Sequence, residues 1–193
     1  MSAHIGLLPP RAERRVRIQP DAGGRARDDA AIADKEIALD YRILGLDPAP
    51  FAPFYGLSDD ELQALGAQRV PVNTPRSAPD RVELRDADPG ESVLLLNHEY
   101  LDLPSPYRGR HAIFVREGAT QRYDRVNELP ECMRARMLSL RAFNAAGMMV
   151  DAALAQDDAV EPLIERLLAR PEVAFVHAHY ALRGCYAARI ERA

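Results

Sequence analysis

His177, His179, Arg183, Cys185 and Tyr186 stand within ten residues of one another, in the run VAFVHAHYALRGCYAARIER from Val173 to Arg192. Imidazoles trade protons or hold metals near neutral pH, a cysteine thiolate attacks electrophiles, and guanidinium forks clamp carboxylates and phosphates. Three chemistries follow. In the first, His177 and His179, two apart on a strand, face one way and hold a metal, with His98, Glu99, His111 or Cys185 as a third ligand. In the second, Cys185 is a nucleophile with a histidine as its base. In the third, no metal is involved, and the histidines, Tyr186, Arg183 and Arg189 line a pocket for a carboxylate or phosphate. Against all three stands an ordinary sheet, with Cys185 a small buried hydrophobe and the histidines packed among backbone partners.

Strand alternation decides which of these groups meet. Val173, Phe175, His177 and His179 share one face; Ala174, Val176, Ala178 and Tyr180 share the other. The turn falls within Ala181–Gly184. If paired residue numbers across the hairpin sum to an even value, Cys185 joins the histidine face; if to an odd value, it faces away. Alternation alone leaves both open. A second polar cluster lies in Asn97–Gly109, NHEYLDLPSPYRG, read as a long loop that carries His98 and Arg108. No GxGxxG, P-loop or GxSxG motif is present, so no cofactor is assigned.

The elements that must position these residues read as mostly strands. Ile37, Leu39, Tyr41 and Ile43 alternate. Ser58-Asp59-Asp60-Glu61 is a capping box that opens a short helix ending at Gly66. Val82 and Leu84, Val93–Leu96 and His111–Arg116 read as strands. Pro130–Met137 reads as a short helix, and Leu138–Phe143 with Met148–Leu154 as a hairpin around Asn144–Gly147. Val160, Leu163, Ile164, Leu167 and Leu168 make one apolar stripe on a helix over Ala159–Ala169, capped by Asp157 or Asp158. Strands follow strands through short turns, which predicts an α+β fold: a largely antiparallel sheet with two or three helices.

The chain of 193 residues is 47% apolar and carries a net charge of −4. That balance offers no electrostatic footprint for nucleic acid, and no apolar run of about 18 residues spans a membrane. Residues 1–35 hold six arginines between Arg11 and Arg27, broken by prolines, glycines and acidic residues. They read as a flexible arginine-rich tail without a secretory signal, followed by a single α+β domain over 36–193. Cys132 and Cys185 have no zinc or CxxC spacing, so a reducing cytoplasm is the simplest location.

Four segments resemble a bacterial family, domain of unknown function 1203: RVELRDADPGESVLLLNHEY, SPYRGRHAIFVRE, RMLSLRAFNAAGMM and VAFVHAHYALRGCYAARIER. The resemblance runs in order from about Ile37 to Arg192. It implies membership and no assigned reaction. Where the family often has Pro-Cys-Arg, this chain has Pro79-Asp80-Arg81, which leaves Cys185 without that second cysteine as disulfide or metal partner. The density of polar side chains on the closing strands, rather than the resemblance, gives the expectation of a protein that binds a small anionic ligand. Its site is a His/Arg/Cys pocket on the C-terminal hairpin and carries catalysis as a further expectation. His177, His179 and Cys185 are its catalytic candidates; Arg183, Tyr186, His98 and Arg108 are its ligand-binding candidates. The alternatives are a non-catalytic interaction module, whose arginine-rich tail docks a partner, and a metal-binding enzyme built on the histidine pair.

Overall fold

The structure, a computed structural model, describes residues 39–193. The tail expected over residues 1–35 lies outside them. Two antiparallel sheets make up the fold. The larger has six strands in the order β5-β1-β9-β8-β6-β7: β1 (Tyr41–Leu44), β5 (Asp124–Val126), β6 (Leu138–Phe143), β7 (Met149–Ala155), β8 (Phe175–Tyr180) and β9 (Tyr186–Arg192). The smaller has three in the order β2-β3-β4: β2 (Gln68–Pro71), β3 (Ser92–Leu101) and β4 (Gly109–Arg116). Three helices accompany them, α1 (Asp59–Ala64), α2 (Glu131–Arg134) and α3 (Val160–Leu168). This is the expected α+β architecture, with strands β2 and β5 added.

Local signals explain much of it. Ser58 Oγ accepts from Glu61 N, and the Glu61 carboxylate accepts from Ser58 N, so the capping box is closed at both ends. The stripe on α3 buries Val160, Ile164, Leu167 and Leu168 against the larger sheet. A 3-10 turn over Asp157–Ala159 leads into α3, and no side chain caps it, contrary to the cap expected from Asp157 or Asp158. Tyr41, Ile43, Val176, Ala178 and Ile190 face the same core as α3.

The other face of the larger sheet meets the smaller one. Leu94, Leu96, Ile113 and Val115 form the inner face of β3 and β4, clustered with Tyr186. Two expectations give way here. The polar loop expected over Asn97–Gly109 is shorter, because β3 continues through His98, Glu99 and Tyr100 to Leu101. His98 and Tyr100 continue the inner alternation of Leu94 and Leu96, so burial against the second sheet makes strand of residues that look polar. The strand expected at Val82 and Leu84 is instead irregular: Leu84 has φ 50. The carbonyls there are taken by crossing segments, Arg81 O by Leu46 N at 2.7 Å and Val82 O by Tyr123 N at 2.8 Å.

Candidate functional site

The closing hairpin follows neither of the two simple registers throughout. Val176↔Ile190, His177↔Arg189 and Ala178↔Ala188 sum to an even number, but His179 pairs with Tyr186, which gives an odd sum. The shift is a β-bulge at Ala187. Beyond it, Tyr180 N donates to Cys185 O at 2.9 Å. His177, His179, Tyr186 and Arg189 therefore share one face, while Cys185 shares the other with Tyr180 and joins the α3 core. The hairpin separates the thiol from both histidines.

The histidine side is an aromatic layer between the sheets. Tyr100 stacks on Tyr186 with ring centroids 5.9 Å apart, and meets the His179 ring edge-on at 5.0 Å. His177 lies against Phe175 and Phe143 at 4.9 and 5.3 Å. Both histidines are buried. Burial, with neighbouring positive charge, pushes His177 down to about 3; burial pushes His179 down to about 4, against a hydrogen bond between its Nδ1 and Gly184 O. Both are neutral imidazoles at pH 7. His177 Nδ1 and His179 Nε2 have no hydrogen-bond partner. Neither ring lines any of three cavities, of about 600, 570 and 400 Å³, found among the described residues. His98, half-buried and also lowered by burial, sits at the rim of the layer near Phe51 and Tyr186. Arg108 lies outside it, exposed and paired with Glu99 and Asp102. Among the described residues, no three His, Cys, Asp or Glu side chains converge where they could hold a metal ion.

Cys185 opens instead onto the cavity of about 570 Å³, between residues 76–81, the start of β6 and the β8–β9 turn. Among the described residues four guanidiniums line it, from Arg76, Arg81, Arg136 and Arg183, and no carboxylate does. Arg136 is neutralised by Asp86 at 2.7 Å, and Arg76 by Glu131 at 3.3 Å. Arg81 and Arg183 have no carboxylate partner among the described residues. Arg81 is 1% exposed. Its Nε donates to Tyr186 O at 2.9 Å, Nη1 to Pro79 O, and Nη2 to Cys185 Sγ at 3.2 Å. Two cations lie over the ring of Tyr180, Arg81 at 5.0 Å and Arg136 at 5.4 Å from its centroid. Burial raises the Tyr180 hydroxyl well above its ordinary range, so it stays protonated and donates to Cys132 Sγ. Pro79, Phe114, Met137 and Leu182 supply an apolar wall.

Asp80 and Arg81 turn opposite ways. The Asp80 carboxylate is buried and accepts from Arg116 N at 2.8 Å and Glu83 N at 2.6 Å. It braces the chain and is not aimed at the sulfur.

The sequence candidates thus divide. Arg183 and Cys185 meet at one cavity; His177, His179, Tyr186 and His98 meet in a different layer; Arg108 joins neither. Arg81, Arg136 and Arg76 were not among the candidates. In RVELRD the alternation of Arg81, Glu83 and Arg85 with Val82 and Leu84 imitates a strand with charges outward, and that pattern hides an arginine turned inward.

No curated protein and no solved structure matches the chain. A family model, described as Protein of unknown function (DUF1203), matches residues 77–192. The match starts at Ser77 in the cavity wall rather than near Ile37, and it takes in the closing hairpin with every arginine of the cavity except Arg76. It covers more than half of the sequence, and the chain belongs to that family.

Proposed function

We propose that this protein binds a small organic anion, a carboxylate or phosphate carried on an apolar body, in the cavity lined by Arg81, Arg136, Arg183 and Cys185. The observation that carries this reading is Arg81, a buried guanidinium with no carboxylate partner among the described residues. A buried cation without a counter-ion costs several kcal/mol, and an anion in the cavity supplies that counter-ion. Arg183, exposed on the turn, adds to the wall a second charge with no carboxylate partner among the described residues. The apolar wall calls for more than an inorganic ion: Leu182 is 94% exposed, a side chain that a ligand's body would cover. A cavity of about 570 Å³ suits a ligand of that size. Cys185 and Tyr180 in the wall make this the place for any catalysis. Free thiols at Cys132 and Cys185 suit a reducing compartment, and the cytoplasm fits. No helix among the described residues is long and apolar enough to cross a membrane.

Titration of the full chain with benzoate, benzamide and inorganic phosphate tests this. Benzoate is expected to raise the thermal midpoint saturably and more than phosphate does, and neutral benzamide to leave it unchanged. Arg183→Ala is expected to weaken benzoate binding about tenfold, the loss of one charge-assisted hydrogen bond. Equal responses to benzoate and benzamide would sink the reading.

A further inference from the structure

We infer that Cys185 is a thiol–disulfide exchange site selective for anionic disulfides, an inference that rests on the anion-binding reading above. Four features point to it. Cys185 lies in the wall of a cavity large enough for an organic half-molecule, whereas Cys132 lines none of the three cavities. Arg81 Nη2 donates to Cys185 Sγ at 3.2 Å, so a fixed positive charge sits where the attacking sulfur is negative. Arg81 is buried, and only three of its five N–H groups have acceptors among the described residues, so donors remain for an incoming anion. Arg81 and Arg183, the two guanidiniums of the wall without carboxylate partners among the described residues, line the same cavity as the sulfur, and none of the described residues that line it is acidic. A cationic disulfide meets repulsion there and an anionic one meets attraction.

The exchange is balanced within itself. Cys185 releases its proton to solvent, and its sulfur attacks one sulfur of the disulfide. A new S–S bond joins Cys185 to that half; the original S–S bond breaks; the other half leaves as a thiolate. Cys185 is oxidised and the departing half is reduced, so the disulfide is the only oxidant. The histidine layer takes no part, because the hairpin turns His177 and His179 to the other face.

Cys132 supplies an internal control. It is 1% exposed against 8% for Cys185 and lines none of the three cavities, and burial pushes its thiol up to about 11, so little thiolate forms at neutral pH. The full chain is exposed in turn to dithiobis(nitrobenzoate), a dianion; to hydroxyethyl disulfide, which is neutral; and to cystamine, a dication. The rate of mixed-disulfide formation is followed, and the modified cysteine is identified by peptide mass. The expected order is anion, neutral, cation, with the anion about tenfold or more faster than the neutral probe after correction for their intrinsic reactivities towards a free thiol. The adduct is expected on Cys185. Arg183→Ala is expected to lower the anion's rate and leave the neutral probe's rate in place. An adduct on Cys132, or an unmodified Cys185 in a protein that still binds benzoate, overturns the exchange site alone. Equal rates for all three probes, in a protein that ignores benzoate, overturn both readings.

Discussion

Lowering the pH from about 6.5 to about 4.5 is expected to remove about 5 kcal/mol of folding stability, through the two imidazoles of the aromatic layer. The unfolded chain protonates each histidine near 6.5, whereas folded His177 holds out to about 3 and folded His179 to about 4. Between those limits the unfolded state binds more protons than the folded one. Stability is therefore full above about pH 6.5 and falls as the pH drops, by about 1.4 kcal/mol per unit for each ring. Of a typical total of about 5–15 kcal/mol this is a large share. Carboxylates held low by arginines act in a lower window; Glu91, at about 2 beside Arg85, keeps its contribution until the medium is more acid. Urea unfolding at a series of pH values measures the effect, and its slope counts the protons. His177→Phe, placed between Phe143 and Phe175, is expected to reduce the slope by one proton and to raise stability at pH 5 relative to the native chain. A flat profile across the window would show that the rings are not held neutral by burial.

The second large effect is expected from one methyl group. A Cβ on Gly45 would lie 2.1 Å from the carbonyl oxygen of Val82 and 3.0 Å from its carbonyl carbon. Neither partner is free to retreat. Gly45 N donates to Tyr123 O at 2.9 Å, Leu46 N to Arg81 O at 2.7 Å, and Tyr123 N to the same Val82 oxygen at 2.8 Å. Gly45→Ala must break part of this crossing, and about 3 kcal/mol or more is expected, at or above the upper end for overpacking. The crossing also holds Arg81 in place, so benzoate affinity should fall in the same variant. The unfolding midpoint in urea checks the first effect and titration the second. A variant as stable as the native chain would mean that the close approach is not real.

Several elements could be read from local pattern. The capping box at Ser58 and Glu61, the stripe from Val160 to Leu168 and the turn at Asn144–Gly147 each depend on residues near in sequence, and each folds as the pattern says. What was hidden depends on distant segments. His98 and Tyr100 look like loop residues until a second sheet covers them. Arg81 looks solvated until its guanidinium turns toward Tyr186 and Cys185. The bulge is invisible because Ala187 and Ala188 are small enough for either face, so the alternation carries no sign of the extra residue. The site candidates on the hairpin share one stretch of sequence but not one compartment, since one residue of register divides the hairpin between two faces.

Arg81 has a further consequence, as an indexing pin. Its Nε reads the carbonyl of Tyr186 and its Nη2 reads the sulfur of the preceding residue. Only the bulged ladder presents that pair of acceptors on the Tyr180 side; an unbulged ladder would pair Tyr180 with Tyr186 and carry the sulfur round to the histidines. The cation proposed to hold the anion is thus also the part that keeps the hairpin in phase. Arg81→Ala therefore reports on the fold and the cavity together, while Arg183→Ala reports on the cavity alone.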